Sequence, residues 1–380
     1  MQPVCFDEQD IAWLTEAARQ QIAGCRKRAF DGTVLFTPDG IGNYDAHWTR
    51  DFYYMTQALD LMDAREVRAG IQYLLQGQRA DGVIPDRRQA DGTSVYCAGP
   101  PDHPIADFPL DNAAFMVLLV ADFVRHTGQI DLFRDNAQRL ERAMASVPLS
   151  EAGLVFNDPE HPHSPYGFTD CIAKTGEELF CSLLDWRAAN EMARLYAQIS
   201  DLRRAGIFQA RAQQTAAALT RLWDERSGMF LAASCECRQI DIWGNALCVY
   251  LDFPLAPSRR AAIVDYLVAH ADEVTQRGQV RHLPAGEHWQ RLLIAVPEGV
   301  YQNGGFWGTA SGWYLDAVAQ KDAVLAARLF RELVQDYRAR GIHEWVNGET
   351  AHLPNYVASA VNPLVAVRRL VERPPYQGCR

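Results

Sequence analysis

Two acidic residues, each set among glycine and aromatic residues, are the strongest candidates for chemistry in this sequence. Asp170 ends the run YGFTD at 166–170, and Glu344 lies in the run HEWVNGE at 343–349. A carboxyl group held among apolar side chains can keep its proton near neutral pH and act as a general acid, whereas an ionised carboxylate can act as a general base. The sequence therefore predicts a proton donor at Asp170 and a base at Glu344, with Glu349 as the alternative base. If both acids were ordinary loop residues, they would only cap turns.

A second set of residues offers the hydrogen-bonding and stacking groups that hold a sugar ring. Arg50 and Asp51, in the run WTRD at 48–51, place donors beside acceptors at fixed geometry, which suits vicinal hydroxyl groups. The run QNGGFWG at 302–308 joins glycines, which let the backbone approach a ligand, to a tryptophan that can stack on a pyranose. This run is not a phosphate loop, because no Lys-Ser/Thr pair follows it. The predicted substrate-binding residues are Trp48, Arg50, Asp51, Asp86, Asp111, Tyr166, Phe168, Lys174, Gln302, Asn303, Gly304, Trp307, Trp345 and Glu349.

Helices must position these side chains, because helical patterns fill most of the chain. Apolar residues of 179–195 recur at spacings of three or four, which indicates a helix with one buried face. Asp111 and Gly128 are placed to begin and end one helix, and Thr175 and Glu178 to form a capping box on another. The predicted helices are 7–28, 49–62, 65–78, 111–127, 130–146, 176–199, 201–224, 241–252, 256–272, 307–319, 321–340 and 355–371.

The helix count and the connections predict the architecture. Strands are expected to be short, as at Thr33–Phe36 and Met229–Ala232, and Pro363 should kink the last helix or delay its start. Twelve helices joined by alternately short and long connections fit six hairpins closed into a ring. We therefore predict an all-α (α/α)6 barrel that forms a single catalytic domain over residues 1–380, with the loops at one end converging on a pocket. The long connections are 79–108, 147–175, 273–306 and 341–354.

Composition excludes several kinds of partner. The formal net charge is −10 and no basic run occurs, so nucleic acid and anionic membranes are not expected partners. No apolar stretch approaches the roughly 20 residues of a membrane helix. Nine cysteines without a disulfide framework indicate a reducing compartment, the cytoplasm, and His161 and His163 lack a partner pair for zinc. We expect a small carbohydrate as the partner and neither metal nor cofactor, and the oligomeric state stays open.

Four motifs, taken in their order along the chain, resemble those of the six-hairpin (α/α)6 glycosidases. Within that group the sequence is most similar to glycoside hydrolase family 63 and to glucoamylase-like and debranching-type enzymes. The resemblance implies an inverting mechanism in which Asp170 is the general acid, Glu344 the general base, and Arg50 and Asp51 hold the sugar in the −1 subsite. One position differs, since Cys171 follows the acid where family 63 usually has Asn. The four motifs are WTRD at 48–51, GFTD at 167–170, NGGFW at 303–307 and EW at 344–345.

These features together predict an exo-acting, inverting hydrolase of a small α-linked glycoside or oligosaccharide. Inversion requires two carboxyl groups roughly 6.5–9.5 Å apart, with room for a water. Three alternatives stay open, because one fold supports several functions. A phosphorylase would need a cationic cluster, for which Arg281 and His282 are candidates; a sugar epimerase would depend on His343 or His288. A non-catalytic sugar-binding protein would tolerate the loss of either acid.

Overall fold

Helices dominate the computed structural model, which describes residues 6–372. Each of the twelve predicted segments coincides with one helix, and α10 is one additional turn. The helices of the described residues are α1 Glu8–Gly24, α2 Thr49–Thr56, α3 Ala64–Gln76, α4 Asn112–Thr127, α5 Asp131–Ala145, α6 Leu179–Gln198, α7 Leu202–Ala218, α8 Ile242–Tyr250, α9 Pro257–Ala269, α10 Ala271–Val274, α11 Ser311–Ala319, α12 Ala323–Arg340 and α13 Val357–Glu372.

Six of these helices form a closed inner ring. Going round it, α2 packs against α4, α4 against α6, α6 against α8, α8 against α11, α11 against α13, and α13 against α2. The outer helices cover this ring: α1 packs against α13, α3 and α5 against α4, α7 against α6, α9 against α8, and α12 against α11. Long helices therefore alternate between the outside and the inside along the chain, which confirms the predicted (α/α)6 barrel.

Burial explains which helices lie inside. All nine residues of α11 are buried, and so is every residue of α4 from Asn112 to Val124, because both helices have neighbours on all sides. The outer helix α5 instead buries one stripe, which runs from Leu132 to Met144 at helical spacing. Among the described residues, no helix combines the length and the apolar character needed to cross a bilayer.

Short antiparallel strands occupy the connections. The predicted strands are confirmed at β2 and β9, while the five-stranded sheet in the order β10-β11-β12-β13-β14 was not predicted. Several helices are shorter than predicted, because their end residues pair as strands. The strands are β1 Arg26–Arg28, β2 Val34–Phe36, β3 His47–Trp48, β4 Arg87–Arg88, β5 Ser94–Val95, β6 Phe156–Asn157, β7 Gly176–Glu177, β8 Trp223–Asp224, β9 Met229–Phe230, β10 Thr275–Gln276, β11 Gln279–Arg281, β12 Phe306–Trp307, β13 His343–Asn347 and β14 Thr350–Pro354.

Local capping predictions were partly wrong. Gly128 ends α4 in the left-handed conformation, as predicted. Asp111 precedes α4 but makes no side-chain cap, since its carboxylate is bound elsewhere. The N-cap of α6 is Glu178, which accepts a hydrogen bond from the Cys181 amide, so the predicted capping box does not form. The last helix begins at Val357 and continues through Pro363.

Candidate active site

The loops at one end of the inner ring enclose a pocket of about 550 Å³. Its wall includes the beginning of α2, the turn at 167–170, strand β13, and the residue just before α13. Under it lies an aromatic layer, in which the ring of Phe168 stacks on Tyr54 at 5.7 Å and on Trp307 at 5.8 Å. The predicted site residues that line the pocket are Trp48, Arg50, Asp51, Phe168, Asp170 and Glu344.

Asp170 follows a single 3-10 turn, Gly167–Thr169, that directs its carboxyl group into the pocket. The Gln302 amide donates to Asp170 Oδ1 over 2.8 Å, and Gln302 Oε1 in turn accepts from the Cys171 amide over 3.0 Å. Burial raises the pKa of Asp170 to about 7, and the Arg50 charge and the Gln302 hydrogen bond oppose this rise. Near neutral pH a large fraction of this carboxyl group is therefore protonated.

Glu344 lies on β13 and is 1% exposed. The Tyr44 hydroxyl donates to Glu344 Oε1 over 2.8 Å, and His352 Nδ1 on β14 is 3.7 Å from Glu344 Oε2. Burial raises the pKa of Glu344, while His352 and the Tyr44 hydrogen bond hold part of that rise back. Like-charge repulsion links the two carboxyl groups, since the Glu344 charge contributes to the raised pKa of Asp170.

A third carboxyl group lines the same pocket. Asp51 lies in the first turn of α2, and the Tyr356 hydroxyl donates to its Oδ1 over 2.7 Å. Burial raises the pKa of Asp51 to about 7, against the lowering effects of Arg50 and of the Tyr356 hydrogen bond. The pocket therefore contains two groups, Asp51 and Asp170, that are protonated and ionised in comparable amounts at neutral pH.

The guanidinium group of Arg50 is fixed by a buried ion-pair network. Its Nη2 lies 2.8 Å from Asp86 Oδ1, and its Nε lies 3.1 Å from Asp111 Oδ2. Asp111 Oδ2 also accepts from the Gly167 amide over 2.8 Å, which ties the network to the turn before Asp170. A Cβ at Gly167 would lie 1.6 Å from Arg50 Nε, so only glycine fits there. Asp86 and Asp111 therefore act behind the pocket wall by neutralising Arg50.

Most other predicted residues also support the wall from behind. The Tyr166 hydroxyl is 2.7 Å from that of Tyr54, and Trp307 donates to the Tyr301 carbonyl. Asn303 accepts from the Trp289 amide and fixes its loop. Gly304 has φ of 125°, and Trp345 stacks on His352 at 5.7 Å. The residues in this supporting group are Asp86, Asp111, Tyr166, Gln302, Asn303, Gly304, Trp307 and Trp345.

Two residues of the predicted set lie away from the pocket. Lys174 is buried and pairs with Asp241 over 2.8 Å, where it neutralises charge beneath α6 and α8. Glu349 lies in the turn between β13 and β14, with 86% of its side chain exposed, and pairs with Arg277 over 2.6 Å. The strand explains why Glu344 is buried while Glu349 is exposed, because Glu344 lies within β13 and faces inward.

Sequence reasoning missed three tyrosines that line the pocket, Tyr44, Tyr301 and Tyr356. Tyr44 is held by a tight loop in which Asp39 accepts hydrogen bonds from three backbone amides, including that of Tyr44 at 2.9 Å. The glycine-rich run DGIGNY at 39–44, just before the first motif, was the available signal. Tyr301 directly precedes Gln302 of the run at 302–308, and Tyr356 lies seven positions after Glu349, the last residue of the run at 343–349.

The ring of six helical hairpins is the (α/α)6 fold, which this chain shares with solved glycosidase structures. No family model matches the sequence, and no curated protein matches it significantly. The chain is similar to the GH63 mannosylglycerate hydrolase of Thermus thermophilus in complex with glucose, with a TM-score of 0.68 and 15% identity over 93% of this chain and 100% of that one.

Two further solved structures share the architecture. The glucoamylase of Saccharomycopsis fibuligera gives a TM-score of 0.65 at 12% identity, over 96% of each chain. The rhamnosidase of Klebsiella oxytoca with rhamnose bound gives a TM-score of 0.65 at 13% identity, over 97% of this chain and 65% of that one. At these identities the similarity concerns the fold.

Proposed function

We propose that this chain is an exo-acting, inverting glycoside hydrolase that cleaves a small α-linked glycoside or oligosaccharide. One observation carries the proposal: Asp170 and Glu344, which lie 174 positions apart in the sequence (344 minus 170), line one pocket of a fold shared with glycosidases. The proposal treats the whole chain as one catalytic domain. The cytoplasmic location expected from the cysteines stays a prediction.

In the proposed mechanism Asp170 is the general acid. Because Gln302 donates a hydrogen bond to Asp170 Oδ1, the carboxyl proton resides on Oδ2. This proton is transferred to the glycosidic oxygen as the bond to the anomeric carbon breaks. A pKa of about 7 keeps that proton available near neutral pH.

Glu344 is the proposed general base. A water between Glu344 and the anomeric carbon attacks from the face opposite the leaving group, and its proton goes to the carboxylate, so the configuration inverts. The Tyr44 hydrogen bond favours the ionised form that this step requires. Arg50 and Asp51 are proposed to bind hydroxyl groups of the same sugar ring.

Exo action on a small substrate is supported by the shape of the site and by its structural neighbours. A pocket of about 550 Å³ has the volume for a ligand of one or two sugar rings. The neighbours include a mannosylglycerate hydrolase, a glucoamylase and a rhamnosidase, and the first and last were solved with single sugars bound.

The alternative reactions lack support in the described residues. Arg281 donates to the Glu287 carbonyl, and His282 is buried against Trp243, so neither lines the pocket as a phosphate site would need. The two histidines proposed for an epimerase, His288 and His343, are likewise outside the pocket lining. The hydrolase proposal therefore takes precedence over both alternatives.

Product stereochemistry and two substitutions test this function. The first product released from an α-glycoside should be the β-anomer, observed by NMR before mutarotation. Asp170→Asn and Glu344→Gln should each lower kcat by at least about 100-fold, because each removes a proton-transfer group. Glu349→Gln, which changes an exposed turn, should keep wild-type activity.

Release of the α-anomer would contradict inversion. Full activity in Asp170→Asn or Glu344→Gln would exclude that residue from the mechanism, and loss of activity in Glu349→Gln would reassign the base.

A further inference from the structure

One side of the pocket is apolar, and a short hairpin forms much of it. Residues 98–105 fold back on themselves, since the Ile105 amide donates to the Ala98 carbonyl over 2.9 Å. Pro100 and Pro101 lie at the tip and line the pocket together with Ile105. Arg87 anchors the hairpin, because its guanidinium group donates to the carbonyl of Gly99 over 2.6 Å.

This apolar side is attached to the segment that contains Asp170. The Ser164 hydroxyl lies 2.9 Å from the Ile105 carbonyl and 3.1 Å from the Asp170 carbonyl, so it joins the hairpin to the turn. On another side the Leu293 amide donates to the Cys171 carbonyl over 2.8 Å, which places Ile294 close to the same turn. Ile105 and Ile294 therefore belong to segments that are hydrogen-bonded to the chain around Asp170, and all three residues line the pocket.

Ile294 is unusual because it is a large apolar side chain left in solvent. It is 43% exposed although it lines the pocket. An apolar group that covered Ile294 would remove its apolar surface from water, which is favourable. The pocket lining also contains Asp51 and Glu344 with their hydrogen-bond partners Tyr356 and Tyr44, and these groups are polar.

The charges of the pocket disfavour an anionic ligand. Both guanidinium groups of the lining are neutralised by buried carboxylates: Arg50 pairs with Asp86 and Asp111, and Arg87 pairs with Asp86 over 3.0 Å. The lining also includes the carboxyl groups of Asp51, Asp170 and Glu344. A carboxylate on the ligand would meet more negative charge and no unpaired cation among these lining groups.

We infer that the substrate is a glycoside whose leaving group is uncharged and apolar, and that Ile105, Ile294, Pro100 and Pro101 hold this group. The inference rests on the proposed function, because a general acid at Asp170 places the leaving group on the Asp170 side of the bond. An alkyl or aryl aglycone would then cover Ile294, while the sugar ring occupies the polar side.

A series of leaving groups on one sugar tests the inference. The probes are methyl, butyl and octyl α-glycosides of glucose, mannose and rhamnose, used below micelle-forming concentrations, with 7-carboxyheptyl glycosides as charged counterparts of the octyl compounds. On the sugar that is cleaved, kcat/KM should rise with chain length by up to about fourfold for each methylene buried. The carboxylated aglycone should be at least about tenfold poorer than octyl.

Ile294→Ser provides the local test, and Ile207→Ser the matched control. Ile294→Ser should lower kcat/KM for the octyl glycoside by about three- to tenfold more than it lowers kcat/KM for the methyl glycoside. Ile207 is 54% exposed on the outer helix α7, so its substitution should leave kcat/KM unchanged for both the octyl and the methyl glycoside.

The two proposals fail in different ways. If no glycoside is hydrolysed, the proposed function fails, and calorimetric Kd values on the wild type decide the inference: tighter binding of octyl than methyl glycosides supports it, and equal binding overturns it. If hydrolysis occurs but kcat/KM is the same for methyl, octyl and carboxylated aglycones, the inference is overturned and the proposed hydrolase function is retained. The same conclusion follows if Ile294→Ser has the wild-type kcat/KM on octyl glycosides.

Discussion

At the scale of single residues, each proposed catalytic carboxyl group accepts a hydrogen bond that lowers its pKa. Gln302 holds Asp170, and Tyr44 holds Glu344, and in both cases burial raises the pKa while the donor lowers it. A general acid must be protonated and a general base ionised. Activity should therefore fall as the pH rises through the pKa of Asp170, about 7, and also as the pH falls through the pKa of Glu344.

Tyr44→Phe tests the tuning of the base. Losing the hydroxyl removes a hydrogen bond that stabilises the ionised form, so the pKa of Glu344 should rise and the acidic limb of the pH–kcat/KM profile should move to higher pH. Activity on the acidic side should drop roughly tenfold. The alkaline limb, set by Asp170, should stay in place. An unchanged acidic limb would show that the Tyr44 hydroxyl does not set the pKa of the proposed base.

Sequence alone identified these two carboxyl groups and Gln302 as candidates for the site, but not the tyrosine partners. Asp170 and Glu344 were identifiable because acids between glycine and aromatic residues are uncommon on plain surfaces. Tyr44 and Tyr356 resemble core aromatics in the sequence, since their role depends on contacts 300 and 305 positions away. The Asp111 capping prediction was wrong for the same reason, because Arg50, 61 positions away, binds its carboxylate.

At the scale of elements, the helices were predictable, whereas most of the strands were not. Apolar periodicity over 15 or more residues is a strong signal for helices such as α5 and α6. Most strands here have two or three residues, which is too short for an alternating pattern to stand out, and they form by backbone pairing with another strand, so the sequence predicts few of them. Helix ends were displaced wherever such a pairing replaced the last turn, as at Arg26–Arg28.

Close packing of the inner helices gives a prediction at this scale. A Cβ at Gly312 of α11 would lie 2.5 Å from the Asn362 carbonyl oxygen of α13, where two backbones meet. Gly312→Ala should therefore destabilise the protein by about 1–3 kcal/mol, measured by denaturant unfolding.

Gly206→Ala is the matched control. Gly206 lies on the exposed face of α7, and no atom lies within 4 Å of the point that an alanine methyl group would occupy there. Alanine at this position should therefore stabilise the protein by about 0.5–1 kcal/mol. Equal effects of the two substitutions would show that helix–helix contact is not what excludes alanine at Gly312.

At the scale of the whole molecule, closure of the ring is what creates the site. Contact between α13 and α2 brings Tyr356 to Asp51, and it places β13 opposite the turn at 167–170. The same closure buries acids that solvent would otherwise keep ionised, which makes the stability of the fold depend on pH.

Asp170→Asn measures that dependence. Because the folded pKa of Asp170, about 7, lies above its ordinary value of 3.8, the wild type loses stability as the pH rises from about 4 to about 7, and asparagine does not ionise. The variant should exceed the wild type by about 2 kcal/mol at pH 8, after allowance for solvent in the pocket, and by much less at pH 5.

Taking the difference between the two proteins cancels titrating groups that do not interact with Asp170, such as His47, whose pKa is lowered to about 4 by burial. Chemical denaturation at both pH values gives the comparison. A stability difference that is the same at pH 5 and pH 8 would mean that Asp170 ionises normally in the folded protein.

The hairpin at 98–105 has a consequence for how such an enzyme can diversify. It closes on itself through Ala98 and Ile105 and is anchored by Arg87, so its tip can change in length or sequence without displacing either carboxyl group. Under the proposed function, recognition of the sugar and recognition of the leaving group are encoded in separate stretches of chain. Grafting new tips onto this scaffold would be a direct route to redirecting the proposed enzyme toward glycosides with other leaving groups.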